Sequence, residues 1–182
     1  NDPQKVASIN RGMSHVLAVP SDHLAPLVEE GRLRATTDFD IVPSLDVIFI
    51  CVPTPNDAAK APDLSFVQAA SAEIGKRLRA GQLIVLESTT YPGTTRDVVR
   101  PILEGGGLRA GSDFFLAFSP EREDPGNQSF PAPTNPTVVG GPDPASPQAA
   151  PALDRPVRPP VLPAPTPPAP PPPQHPRLPP DT

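Results

Sequence analysis

Four consecutive residues, Glu87-Ser88-Thr89-Thr90, set one carboxylate and three small hydroxyls directly after an unbroken apolar run, Leu83-Ile84-Val85-Leu86. A carboxylate accepts or relays protons once its surroundings tune its affinity for them, and hydroxyls both donate and accept, so such a set can hold a water or a ligand hydroxyl and move a proton. The same arrangement recurs twice. Pro53-Thr54-Pro55 follows the apolar run at 47–52 (VIFICV), and Ser119-Pro120-Glu121-Arg122 follows the run at 113–118 (DFFLAF). Thr89 is suited to a water or a ligand hydroxyl, and Glu121 to general-base work or to holding a water. One such segment alone reads equally well as a chain that is only capped and turned. Three in succession call for a common cause.

The elements around them supply it. Residues 47–52 are a continuous β-branched and aromatic run and 83–86 an apolar run without polar interruption, as expected of strands buried in a parallel sheet. Between them Asp63 is placed to cap a helix, and Leu64, Val67, Ile74 and Leu78 fall on one helical face, with Gly81 closing it. That order is a βαβ unit, which makes the two strands parallel. Pro92-Gly93 turns the chain after the second strand. Thr94, with Asp97 three residues on, has the spacing of a capping box opening a helix over 95–104, ended by Gly105-Gly106-Gly107. Residues 113–118 form a third buried strand and Thr137-Val138-Val139 a short fourth, with a possible helix over 143–153 weakened by Pro147 and Pro151. Upstream, Asp2-Pro3 starts one helix and residues 21–30 form a second, ended by Gly31. Residues 34–37 read as a short strand and 38–45 as a turn or short helix. In a parallel sheet the three polar strand ends share one edge, where ligands bind in open α/β folds.

Composition bounds the rest. The 182 residues suffice for one domain with a core. A net charge of −5 speaks against a general nucleic-acid binder. The single cysteine excludes an internal disulfide and a cysteine-built metal site, and no metal is expected. Cys51, inside an apolar run, reads as a small core residue, and His15 and His23 as surface or partly packed residues. The chain opens on Asn1, as a fragment or processed chain would, and no leader or long apolar run supports secretion or membrane spanning; a cytoplasmic location fits. Proline is the anomaly: 14 of the 32 prolines fall within residues 154–182. Such a tail should be disordered or polyproline II. It reads as a ligand for a proline-binding module, as a solvated tail, or as a sequence that has lost its proper continuation.

Residues 47–55 (VIFICVPTP), 63–67 (DLSFV), 86–95 (LESTTYPGTT), 113–127 (DFFLAFSPEREDPGN) and 136–141 (PTVVGG) resemble the nucleotide-sugar dehydrogenases of the UDP-glucose/GDP-mannose dehydrogenase family. The resemblance runs to about residue 153. It implies a Rossmann-type domain that binds NAD, and oxidation of the C6 alcohol of a UDP-sugar to a carboxylate for polysaccharide synthesis. It further implies that Thr54 lies beside the NAD, and that Ser88 and Thr89 lie near the nicotinamide, with Thr89 positioning the water of thioester hydrolysis. Glu121 would be the accompanying base or water-binding group and Arg122 would lie on the substrate side; Glu87 receives no clear role. The full-length family forms homo-oligomers.

Two departures accompany the match. The family's Gly-x-Gly-x-x-Gly phosphate turn has no counterpart here, and neither has its nucleophilic cysteine, since Cys51 stands elsewhere. The expectation is therefore an α/β chain: an incomplete Rossmann-type parallel sheet over 1–153, then a disordered proline-rich tail over 154–182, inactive as a dehydrogenase by itself. A shifted reading frame would account for the tail. The competing readings are a non-catalytic interaction protein whose tail is a proline-rich ligand, and a different nucleotide-binding enzyme sharing only the fold.

Overall fold

The computed structural model describes residues 2–16, 19–55, 62–119, 137–141, 143, 146 and 161–163. Its centre is a three-stranded parallel sheet of β1 (Val47–Ile50), β2 (Leu83–Leu86) and β3 (Phe115–Phe118), in that spatial order. The register pairs Val47 with Leu83 and Phe115, and Ile50 with Leu86 and Phe118, so the three strands end at one level. This is the expected Rossmann-type arrangement.

Strand periodicity sorts the side chains. Ile48, Ile50, Ile84, Leu86 and Leu116 belong to one cluster with Val67 and Ile74 of α3 (Ser65–Gly75), Val99, and Leu103 of α4 (Arg100–Glu104). Val47, Leu83, Val85, Phe115 and Ala117 form the other face with Val139. Every residue of β2 is buried, which explains its uninterrupted apolar sequence. Each such side chain contributes about 1.5–3 kcal/mol of burial. Helices α3 and α4 approach closely because Gly75 has no side chain: a Cβ there would stand 3.0 Å from the Ile102 carbonyl oxygen.

The helix starts follow their caps. Asp2 Oδ1 accepts from the Gln4 and Lys5 amides at the head of α1 (Pro3–Ile9), and Asp63 Oδ1 accepts from Ser65 N at the head of α3. Helix α2 (Ser21–Glu29) buries no residue, and neither does α1. Asp38 caps a 3₁₀ segment, Phe39–Ser44, where a turn or short helix is expected.

Three expectations are corrected. Residues 34–37 form no strand; instead the Asn10 side chain pairs with Ala35 as a strand would, donating Nδ2 to its carbonyl (3.0 Å) and accepting its N–H at Oδ1 (2.8 Å). The helix after β2 does not open with a capping box. Thr94 Oγ1 donates to the Tyr91 carbonyl and the Asp97 carboxylate takes Arg96. Residues Thr94–Val99 wind as a π-helix before α4 begins. Pro101 explains this: it brings no N–H, and its ring excludes the carbonyl four residues back, so the preceding turn widens. Strand β1 stops at Ile50, short of residue 52.

Short strands β4 (Thr137–Val139) and β5 (Val161–Pro163) pair in parallel, and Phe118 and Gly140 exchange backbone hydrogen bonds as an antiparallel bridge. Val161–Pro163 falls in the tail expected to be unstructured; the rest of that tail lies outside the described residues, as does nearly all of the helix expected over 143–153.

Candidate functional site

The carboxyl ends of β1 and β2 make the rim. Beyond Ile50 and Leu86 the ladder gives way to side chains. Glu87 N and Ser88 N both donate to the Ile50 carbonyl, at 3.0 and 3.2 Å. Ser88 is buried, 6% exposed, and its Oγ accepts from Val52 N at 2.8 Å while facing the carbonyls of Val52 (2.9 Å) and Ile50 (3.3 Å). With one proton to give, it donates to one of these carbonyls at a time. The candidate threonines stand just beyond this clasp, Thr54 two residues after Val52 and Thr89 next to Ser88: Thr54 is half-buried and Thr89 exposed. The Thr54 segment is tied on its far side as well, where the Pro55 carbonyl accepts from Asp63 N at 2.7 Å.

Cys51 corrects the sequence reading. It is exposed rather than in the core, and its Sγ lies 3.2 Å from Glu87 Oε2. The strand alternation accounts for it: Ile50 fills the inward position and the chain leaves the sheet one residue later. Glu87, left without a role by sequence, thus joins the ends of the two strands.

The third strand contributes Ser119, whose N–H continues toward β2 by donating to the Leu86 carbonyl at 3.0 Å. Its hydroxyl is buried and has no hydrogen-bond partner among the described residues. A buried orphan hydroxyl costs free energy and is uncommon. Sequence reasoning passed over Ser119 in favour of its neighbours. Glu121 and Arg122 lie outside the described residues.

The turn after β2 closes through Thr94, whose N–H and hydroxyl both reach the Tyr91 carbonyl. Gly93 takes φ +94°, a left-handed conformation costly for other residues. Beside it Arg96 and Asp97 form a two-point ion pair at 2.6 and 2.8 Å. The Arg96 guanidinium holds the Asp97 carboxyl below the usual aspartate range. Among the described residues no three His, Cys, Asp or Glu side chains gather to hold a metal ion. His15 and His23 are exposed, and no described helix is long and apolar enough to cross a membrane. A depression of about 350 Å³ lined by Pro101, Glu104, Gly107 and Arg109 sits at the end of α4, away from the rim, and includes none of the candidate residues.

The rim can thus offer hydroxyls, exposed strand-end backbone and one carboxylate to a polar ligand.

Comparison with known proteins agrees with this geometry. The NAD-binding domain of the UDP-glucose/GDP-mannose dehydrogenase family matches residues 1–157. The UDP-N-acetyl-D-glucosamine 6-dehydrogenase of Pseudomonas aeruginosa is 35% identical over 151 residues, which are 82% of this chain and 34% of that protein. The GDP-mannose 6-dehydrogenase of Pseudomonas putida is 36% identical over 166 residues, 87% of this chain and 38% of its own length. Among solved structures, the NDP-N-acetyl-D-galactosaminuronic acid dehydrogenase of Methanosarcina mazei superposes with a TM-score of 0.81 at 35% identity, over 88% of this chain and 36% of that one. The UDP-D-ManNAc dehydrogenase of Pyrococcus horikoshii gives 0.82 at 29% identity, over 90% and 39%. The chain spans little more than a third of the length of these relatives.

Proposed function

The chain belongs to the UDP-glucose/GDP-mannose dehydrogenase family as its NAD-binding domain, and from that premise we propose that it is the cofactor-binding part of an NAD-dependent nucleotide-sugar 6-dehydrogenase. The observation that carries the reading is the common level of the strand ends, set by the Ile50–Leu86–Phe118 register. It brings the segments bearing Thr54, Thr89 and Ser119 to one edge of the sheet.

In this reading Thr54 and Thr89 offer their hydroxyls to the nicotinamide-ribose portion of NAD. NAD⁺, when bound, supplies a hydride acceptor for the sugar's C6 alcohol. Thr89, exposed at the end of β2, also holds a water near the reacting carbon. Glu121 is the base or water-holding carboxylate and Arg122 a substrate contact, both on the segment that follows Ser119. The relatives named for UDP-N-acetylglucosamine and GDP-mannose differ in the nucleotide, and a UDP-sugar is the substrate proposed here.

The 182-residue chain by itself should bind NAD⁺ weakly and oxidise no nucleotide sugar, since it carries neither a Gly-x-Gly-x-x-Gly turn nor a cysteine beyond Cys51. Calorimetric or NMR titration with NAD⁺ tests this. Saturable binding is expected, weakened about 2- to 10-fold by Thr54→Ala or Thr89→Ala, the range of one hydrogen bond. Binding unchanged in both variants, or NADH formation with any UDP-sugar, overturns the corresponding part.

A further inference from the structure

We propose that Ser88 is a positioning residue: its hydroxyl replaces one rung of the β1–β2 ladder and thereby fixes where Thr54 stands. The functional consequence rests on the NAD-binding reading above; the mechanical claim stands on the geometry alone.

The ladder between β1 and β2 ends at Ile50 and Leu86. Beyond it the chain reads Cys51-Val52-Pro53-Thr54-Pro55, and the two prolines contribute no N–H. Val52 is therefore the last residue before Thr54 that a neighbouring strand can grip through a backbone donor and acceptor together. Ser88 takes that grip: its Oγ accepts from Val52 N at 2.8 Å and lies 2.9 Å from the Val52 carbonyl. One hydroxyl thus answers both polar groups of Val52, which a continuing parallel strand would have met with two of its residues. The following Pro53 has a fixed φ, so the orientation imposed at Val52 passes to Thr54 with little slack. On the other side Pro55 is tied to Asp63 at 2.7 Å. Thr89 is the residue next to Ser88, so the same clasp sets the two threonine-bearing segments against each other.

The side-chain type matters. Ser88 is 6% exposed, with an oxygen already accepting one hydrogen bond and a proton already directed at a backbone carbonyl. Little of it remains for a cofactor. Alanine would leave Val52 N–H without its partner, whereas threonine keeps the hydroxyl.

The test uses the full 182-residue chain with Ser88→Ala, Ser88→Thr and, as a buried-serine control away from the rim, Ser71→Ala. Amide exchange at Val52 and the NMR signals of Thr54 are read without ligand, and the NAD⁺ dissociation constant beside them. In the unmodified chain Val52 N–H should exchange slowly; exchange at the rate of an open loop overturns the proposal whatever the variants do. Ser88→Ala should speed Val52 exchange about 10-fold, move the Thr54 signals and weaken NAD⁺ about 10-fold. Ser88→Thr should restore all three, and Ser71→Ala should leave them in place. Weakened NAD⁺ with Val52 and Thr54 undisturbed would make Ser88 a direct contact and overturn the proposal. An unmodified chain that does not bind NAD⁺ refutes the functional reading instead, and the Val52 and Thr54 measurements still decide the clasp.

Discussion

The Cys51 thiol and the Glu87 carboxylate meet 3.2 Å apart across the ends of two parallel strands, at the mouth of the edge where the chain's hydroxyls collect. Cys51 is exposed, so it reports on whatever occupies that edge. A maleimide should label it. NAD⁺ at ten times its dissociation constant should slow labelling about tenfold, as expected when bound ligand and reagent exclude each other. Mass spectrometry follows the rate. Labelling indifferent to saturating NAD⁺ would place the cofactor elsewhere.

Gln82 is fully buried although its side chain is polar, and every bond it makes is to backbone. Nε2 donates to the carbonyls of Val42 (2.7 Å) and Leu45 (2.6 Å), and Oε1 accepts from Arg79 N (2.8 Å). It fastens the 3₁₀ segment to the start of β2 and so fixes where β1 begins. Gln82→Leu, similar in size, strands the Arg79 amide, while the Val42 carbonyl keeps Leu45 N and the Leu45 carbonyl keeps Arg79 Nη2, and it should cost about 1–3 kcal/mol in urea unfolding. A loss below 1 kcal/mol would show that the segment is held mainly by Arg79, whose guanidinium also reaches Pro43, Leu45 and Asp46.

Ser71 makes the opposite case. It lies inside α3, fully buried, with an Oγ that has no partner among the described residues. Ala is the better helix former and carries no polar atom to desolvate, so Ser71→Ala should raise stability by about 1 kcal/mol. Chemical denaturation reads this directly. A destabilised variant would mean that the hydroxyl is satisfied in solution.

What the sequence made legible was apolar continuity. The runs in β1, β2 and β3 and the stripe through Val67 and Ile74 announce themselves because burial on both faces of a sheet, or on one face of a helix, leaves a period in the chain. The strand ends were legible too: the segments that carry Thr54 and Thr89 follow β1 and β2 at one level of the sheet. The connections obeyed side chains that leave no period. Asn10 stands in for a strand beside Ala35, Gln82 and Arg79 pin the 3₁₀ segment, and Ser88 takes over where β1 stops. Each acts over 25 or more residues of sequence, so no local pattern discloses it. Cys51 was misread for a related reason: its neighbours are apolar, but the strand ends one residue before it. The π-helix was readable in principle, since Pro101 had to break the capping-box helix somewhere.

Glu104 links α4 to the approach to β3. Its Oε1 accepts from Arg100 Nε at 2.9 Å and from Ala110 N at 3.0 Å. Burial draws its carboxyl upward, but the Ala110 amide and Arg100 together leave it below the ordinary 4.5. A carboxyl that releases its proton more readily folded than unfolded adds stability above its unfolded value, and loses that contribution as pH falls through the folded one. Asp63, lowered by the Ser65 amide, and Glu73, lowered by Lys76 and Arg77, act in the same direction. Thermal stability should therefore fall as pH drops below about 4.5. Glu104→Gln should lower the plateau near neutrality and make the acid slope shallower. High salt should flatten the part owed to the Lys76–Glu73 pair, whose lysine is exposed, more than the part owed to Arg100–Glu104. Parallel pH profiles for the parent and Glu104→Gln would show that the Arg100–Glu104–Ala110 link adds nothing to the folded state.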